Sequence, residues 1–260
     1  MSWAARRRFI ILCVVGAVAV AFLATAGIAI FYKAPTCADG AQNQDETGID
    51  CGGSCAYLCR EEQEPPTVLF TKAIQNGEGR VDIIAMVENK NSTAAAKNVP
   101  YRVTLYGSGQ SLIQEITGTL DLPPGASVPV FVPGIVSGKQ AVANAFLDIE
   151  PSSPAWFSLA ADPRIIPNVS NTKQIGTASS PRIEVTLTNP SVTALANVKV
   201  IVLVHADTGD VIAASTTVVP SVPAQGRATA TFTWNYAFSG VPASIEVVPI
   251  ISLPAQTGLP

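Results

Sequence analysis

Four of the five cysteines, Cys37, Cys51, Cys55 and Cys59, fall within one stretch of twenty-three residues, and none follows it. Thiols this crowded either oxidise in pairs or hold a metal as thiolates. The gaps of thirteen, three and three residues differ from the paired C-x2-C knuckles of zinc sites. Two disulfides are therefore expected, with a four-thiolate zinc site as the alternative. Four cysteines permit three pairings, and spacing does not choose among them. Covalent staples are what a segment too short to bury a core requires. Between the cysteines lie Asp39, Asn43, Asp45, Glu46 and Asp50, with Gly40 and Gly48 for tight turns. Hard oxygen donors on a glycine-bent loop suit Ca²⁺, although the register is not that of an EF-hand. A calcium loop and a solvated acidic turn held by its disulfides both remain open; no other cofactor is expected.

The string C-x-D-G-x-x-N-x-x-E-T-G-x-D-C-G-G-x-C, from Cys37 to Cys55, resembles a short cysteine motif of exported, often repeat-bearing, bacterial surface proteins, including those of small-genome uncultivated lineages. It covers under a tenth of the chain. The resemblance implies an extracytoplasmic setting and no established activity.

An element upstream must place this segment. Phe9 to Tyr32 is an apolar run without charge or proline. About 20 helical residues span the ~30 Å hydrocarbon core of a bilayer, so residues 9–32 are predicted to cross one. Arg6, Arg7 and Arg8 precede the run and Lys33 follows it. By the positive-inside rule residues 1–8 are cytoplasmic and everything after Tyr32 lies outside. Trp3 and Tyr32 stand where interfacial aromatics belong. Ala24-Thr25-Ala26 fits a signal-peptide cleavage pattern. The apolar run nevertheless continues for six residues beyond that site, which favours an uncleaved anchor. Either reading exports the body of the chain.

Charge excludes one class of partner. Only 13 % of residues are charged, against roughly 25 % in an average soluble protein. Residues 37–64 carry seven acidic groups against Arg60 alone. Nothing here attracts a phosphate backbone, so nucleic-acid binding is not expected.

Residues 33–66 are read as the cysteine-rich acidic segment, closing on the charged linker Glu61-Glu62-Gln63-Glu64-Pro65-Pro66. Beyond it, β-like runs alternate with turn signals every eight to twelve residues, as in a sandwich. An internal repeat appears at an offset near one hundred. VDIIAMVENKNSTAAAKNVPYRVTLYG, from Val81, matches RIEVTLTNPSVTALANVKVIVLVHADTG, from Arg182. Asn89 pairs with Asn189, Asn98-Val99 with Asn197-Val198, Leu122-Pro123-Pro124-Gly125 with Val222-Pro223-Ala224-Gln225-Gly226, and Phe131 with Phe232. Each Asn-Val is expected to open a strand, and Asn89 and Asn189 to bond their own turns. Val200 to Val204 form an unbroken apolar run, as a strand buried on both faces would. Ala228, Ala230 and Phe232 alternate with Thr229, Thr231 and Thr233, as one buried face requires.

The pattern V-x-N-x-S/T…A-x-N-V resembles immunoglobulin-like modules of bacterial envelopes, similar to the CARDB and FxLYD classes. It is carried by Val87-Glu88-Asn89-Lys90-Asn91-Ser92 with Ala96-Lys97-Asn98-Val99, and by Leu187-Thr188-Asn189-Pro190-Ser191 with Ala194 to Val198. The F-x-L-Y-D signature itself is absent. The resemblance implies a fold and a setting, with no binding residues.

No catalytic constellation emerges. His205 is the sole histidine and is read as a strand-end residue, because a triad needs positioned partners. There is no G-x-S-x-G elbow, P-loop or dinucleotide fingerprint. Trp156-Phe157 lies where the two repeats join; it either packs there or offers Trp156 as an aromatic binding platform. The expected protein is mainly β. It has an N-terminal transmembrane helix, a small disulfide-stapled segment, and tandem immunoglobulin-like sandwiches at residues 67–157 and 158–260. It is not expected to be an enzyme. The expected partners are the lipid bilayer, through residues 9–32, and an unidentified envelope protein or glycan.

Overall fold

With neither charge nor proline to interrupt it, the N-terminal run forms helix α1 (Trp3–Phe31), 29 residues long. In the computed structural model, the described residues are 3–32, 34–76, 79–136, 140–159 and 161–254. Lys33 and the last six residues of the second predicted domain lie outside them. At 1.5 Å per residue α1 is about 43 Å long. It starts six residues earlier than expected and carries Arg6 to Arg8 in its first turns, with the Arg7 guanidinium 5.3 Å from the Trp3 ring centre. None of its residues is buried. A helix apolar on every side and covered by nothing in its own protein has the surface of a membrane span, and α1 has the length for one.

The body is two β-sandwiches of one design. Sandwich 1 contains β1 (Thr67–Gln75), β2 (Arg80–Glu88), β3 (Ala94–Gly107), β4 (Leu112–Leu122), β5 (Ser127–Val136), β6 (Val142–Asp148) and β7 (Trp156–Ser158). Sandwich 2 contains β8 (Asn168–Thr177), β9 (Ser180–Thr188), β10 (Leu195–His205), β11 (Val211–Val222), β12 (Arg227–Thr233) and β13 (Ser244–Ile250). In sandwich 1 one sheet runs β1-β2-β5 and the other β4-β3-β6, with β7 added to β3. Sandwich 2 repeats this as β8-β9-β12 and β11-β10-β13. All pairings are antiparallel. Ser158, at the end of β7, pairs with Ala94 of β3.

The repeated asparagines explain why the copies share a shape. Asn89 Nδ2 donates to the carbonyls of Ala94 and Pro123, each at 2.8 Å, and its Oδ1 accepts the Asn91 N–H. Asn189 Nδ2 donates to Thr193 and Pro223, and its Oδ1 accepts the Ser191 N–H. Each side chain is 1 % exposed and ties its own turn to the turn between two later strands. Asn98 and Asn197 do not open their strands. They sit inside β3 and β10 at φ 53° and 51°, a left-handed conformation that short polar side chains tolerate. There they reset the alternation, so that Val99, Val103 and Leu105, like Val198, Val200 and Val202, point into their own cores.

Strand pairing corrects two matches in the repeat. Glu88 faces Ser127 and Thr188 faces Arg227. Phe131 therefore corresponds to Thr231, and Gly125 to Gln225, which takes the same left-handed turn at φ 51°.

The sandwiches pack on each other through sheets that are not equivalent. The outer face of β1-β2-β5 meets the outer face of β11-β10-β13. Ile74, Ile84, Met86 and Phe131 interleave there with Ile201, Leu203, Val211 and Ala214. This is why Val200 to Val204 are all buried: the valines fill sandwich 2, while Ile201 and Leu203 fill the joint. At the equivalent outer positions the other copy is polar. Ile84, Met86 and Phe131 correspond to Glu184, Thr186 and Thr231, and Ile201 and Leu203 to Arg102 and Thr104. Of these two pairs of equivalent outer faces, only the apolar pair docks.

Two carboxylates flank this joint. Asp121 accepts the N–H groups of Asn98 and of Leu253, whose side chain plugs against Ala95 and Phe157. Asp82, 3 % exposed, accepts the Gly134 N–H at 2.6 Å and Asn76 Nδ2 at 2.8 Å. Near it the Tyr236 hydroxyl is buried and has no hydrogen-bond partner among the described residues. Burial, and after it the charge of Asp82, pushes that hydroxyl up to about 12 from the ordinary 10. Between those values the unfolded chain releases a proton that the folded chain keeps, so stability falls as pH rises. The ceiling is about 2.7 kcal/mol; the half-exposed ring reduces the expected loss to about 1 kcal/mol. Tyr236→Phe should abolish this alkaline loss and, by deleting the orphaned hydroxyl, add about 1 kcal/mol at neutral pH. Denaturant melts of both proteins at neutral pH and midway through that alkaline window measure the two effects.

Candidate functional site

The cysteine segment has almost no interior: among its described residues only Glu46, Gly52, Cys55 and Cys59 are buried. Disulfides supply what a core would. Cys37 pairs with Cys55 and Cys51 with Cys59, so the two closed loops interlock. Closing eighteen residues with the wider bridge removes roughly 3 kcal/mol of unfolded-chain entropy. The zinc alternative is thereby corrected, because sulfurs bonded to each other are not thiolates. Gly48 lies against the second bridge, and a Cβ there would stand 2.8 Å from the sulfurs of both Cys51 and Cys59. Gly52 and Gly53 take φ 75° and 57°, which explains the paired glycines of the motif.

The acidic residues work mainly on the segment's own backbone. Asp50 accepts the N–H groups of Asp39 and Gly40 at 2.9 to 3.1 Å. Asp39 accepts from Thr36, Ala41 and the Asn43 side chain. Glu46 turns inward and accepts the Asn43 N–H. Asp45 stands apart on Ser54, whose hydroxyl holds its carboxyl below the usual range. Among the described residues, the one cluster of three ligand-type groups is Cys37, Glu46 and Cys55, and two of those are the bridged sulfurs. The five oxygen-bearing residues thus divide among separate tasks, with amide hydrogens at Asp39 and Asp50 where a calcium site places the ion. Millimolar calcium is accordingly expected to leave the thermal midpoint of this segment unmoved, as read by circular dichroism with and without chelator.

The segment is fastened to sandwich 1. Tyr57 bridges to Phe157, and the Leu58 N–H donates to the Trp156 carbonyl at 2.8 Å, continuing the sheet beyond β7. Leu58 packs on the core of sandwich 1. The linker is tied as well: Asn91 exchanges two hydrogen bonds with the backbone of Glu64. These contacts of Tyr57, Leu58 and Asn91 were not legible in the sequence; only the apolar pair beside Cys59 hinted at them.

The other candidates fall elsewhere. Trp156 is 2 % exposed and belongs to the core of sandwich 1. The aromatic-platform reading is corrected, since β7 turns the ring inward. His205 ends β10, with Nδ1 3.1 Å from the Gly209 carbonyl and Nε2 3.3 Å from Glu246. Neither contact is a hydroxyl or thiol that the imidazole could activate.

No protein-family model and no curated protein matches the chain. Among solved structures it is similar to a transglutaminase of red sea bream, with 16 % identity and a TM-score of 0.25. That likeness covers 72 % of this chain and 29 % of that one. The chain thus spans under a third of its neighbour's length, and a likeness this slight assigns neither fold nor activity.

Proposed function

We propose that this chain is a membrane-anchored, extracytoplasmic protein of the cell envelope that displays two immunoglobulin-like domains in a structural or protein-interaction role. The observation that carries the reading is α1, with no residue buried against the rest of the protein and arginines on its leading side only among the described residues. The interlocked disulfides support it, because such bridges persist where glutathione does not reach. The cysteine segment is the collar between membrane and body, sewn to sandwich 1 so that the body does not swing freely. The apolar joint makes that body one stiff block, as a spacer or docking platform needs. The role is not enzymatic.

Reporter fusions test the orientation. Alkaline phosphatase joined after residue 66 is expected to be active and green fluorescent protein at the same point dark. Bright fluorescence with inactive phosphatase would overturn the reading.

A further inference from the structure

The two sandwiches do not meet flush along their whole seam. At the side where β5 and β13 approach each other a cleft of about 390 Å³ opens, within the size range of small-molecule sites, which favour domain interfaces. Phe131, Ile201, Val248 and Ile250 line it and belong to the apolar joint. Four titratable side chains line it, Tyr101, Asp121, Arg164 and Lys199, beside the uncharged polar Asn98, Thr119, Ser127 and Ser252.

Two of these four are already engaged. Both oxygens of Asp121 accept backbone N–H groups. Arg164 binds Asp162 through Nε and Nη2, and the Ile251 carbonyl through Nη1. The other two have no hydrogen-bond or ion-pair partner among the described residues. Lys199 lies within β10, two residues before Ile201 and so on the same outer face. The Tyr101 ring lies across Gly118 of the neighbouring strand, which leaves no room for a Cβ there and fixes the ring. Burial raises the Tyr101 hydroxyl above the usual tyrosine range, so it remains a donor. The cleft thus holds an unpaired cation and an unpaired hydroxyl beside an aliphatic wall.

We propose that this cleft binds a small amphipathic anion, a carboxylate or phosphate on an aliphatic chain, with its head at Lys199 and Tyr101 and its chain along Phe131, Ile201 and Val248. This inference does not depend on the orientation or export of the body.

The test is calorimetric titration of the full chain in nanodiscs with octanoate, octyl phosphate and octanol, against empty nanodiscs. One-site saturable binding of an anion is expected, with octanol weaker by about tenfold, the worth of a charge-assisted bond. The stronger of the two anions identifies the head group. Lys199→Met should weaken that anion by about tenfold. Ile166→Trp, at the exposed rim, should block it with the thermal midpoint unchanged. The proposal is overturned by heats equal to those of empty nanodiscs, by octanol binding as tightly as both anions, or by indifference to both substitutions.

Discussion

Ile84→Glu is expected to separate the two sandwiches. Ile84 is fully buried, and its neighbours across the joint, Ile201 and Leu203, are 1 % and 0 % exposed. Lys72 stands opposite on β1, yet a carboxylate taken out of water among the apolar side chains of the joint would still cost several kcal/mol. The chain has a cheaper course, which is to open the joint and let the glutamate reach water. Sandwich 2 already carries Glu184 at the equivalent position, on an outer face that nothing covers, so the fold itself accepts the residue. The expected result is two unfolding transitions in place of one, a larger radius of gyration by solution scattering, and new protease cleavage between residues 159 and 167. Ile84→Val is the control, with a loss near 1 kcal/mol and a single transition. Two transitions in the unaltered protein would show that the joint does not couple the domains.

The second large effect is expected at Asn189. Removing its amide leaves the Thr193 carbonyl and the Ser191 N–H without their partner, and the Pro223 carbonyl with the Gly226 N–H alone, in a site 1 % exposed. Each orphaned group costs about 1–3 kcal/mol; Asn189→Ala is therefore expected to lose about 3 kcal/mol, measured by denaturant melts. Asn189→Asp should be no better, because it is the Nδ2 donor that the carbonyls need, and a carboxylate beside them is repelled. Asn89→Ala should match it, since the same bonds recur in sandwich 1. A loss confined to one copy would contradict the shared role drawn from the repeat.

These positions mark what the sequence makes legible. The long apolar N-terminal helix could be read because hydropathy and length are one-dimensional. The repeat was visible because Asn89 and Asn189 serve a local turn, and local chemistry leaves a local signature. Double-sided burial of Val200 to Val204 was visible as a run of apolar residues, but the sheet that covers it was not. That partner is the outer face of β2, whose own run from Val81 to Val87 is broken by Asp82. Phe131 and Phe232 were matched by type, whereas one points into the joint and the other into its own core; a one-residue slip in register reverses a side chain. Disulfide pairing was hidden because three connectivities share one spacing. Composition alone does not reveal that Asp39 and Asp50 accept backbone N–H groups of their own segment.

The account stands most directly on the compartment of the body. Membranes from the native host can be quenched in acid, denatured, and labelled with a maleimide of known mass before and after reduction. The expected result is protein in the membrane fraction with one label before reduction, on Cys13, the free cysteine of the structure, and five after it. Protein in the soluble fraction with all five cysteines labelled before reduction would contradict the anchor, the bridges and the exported setting together.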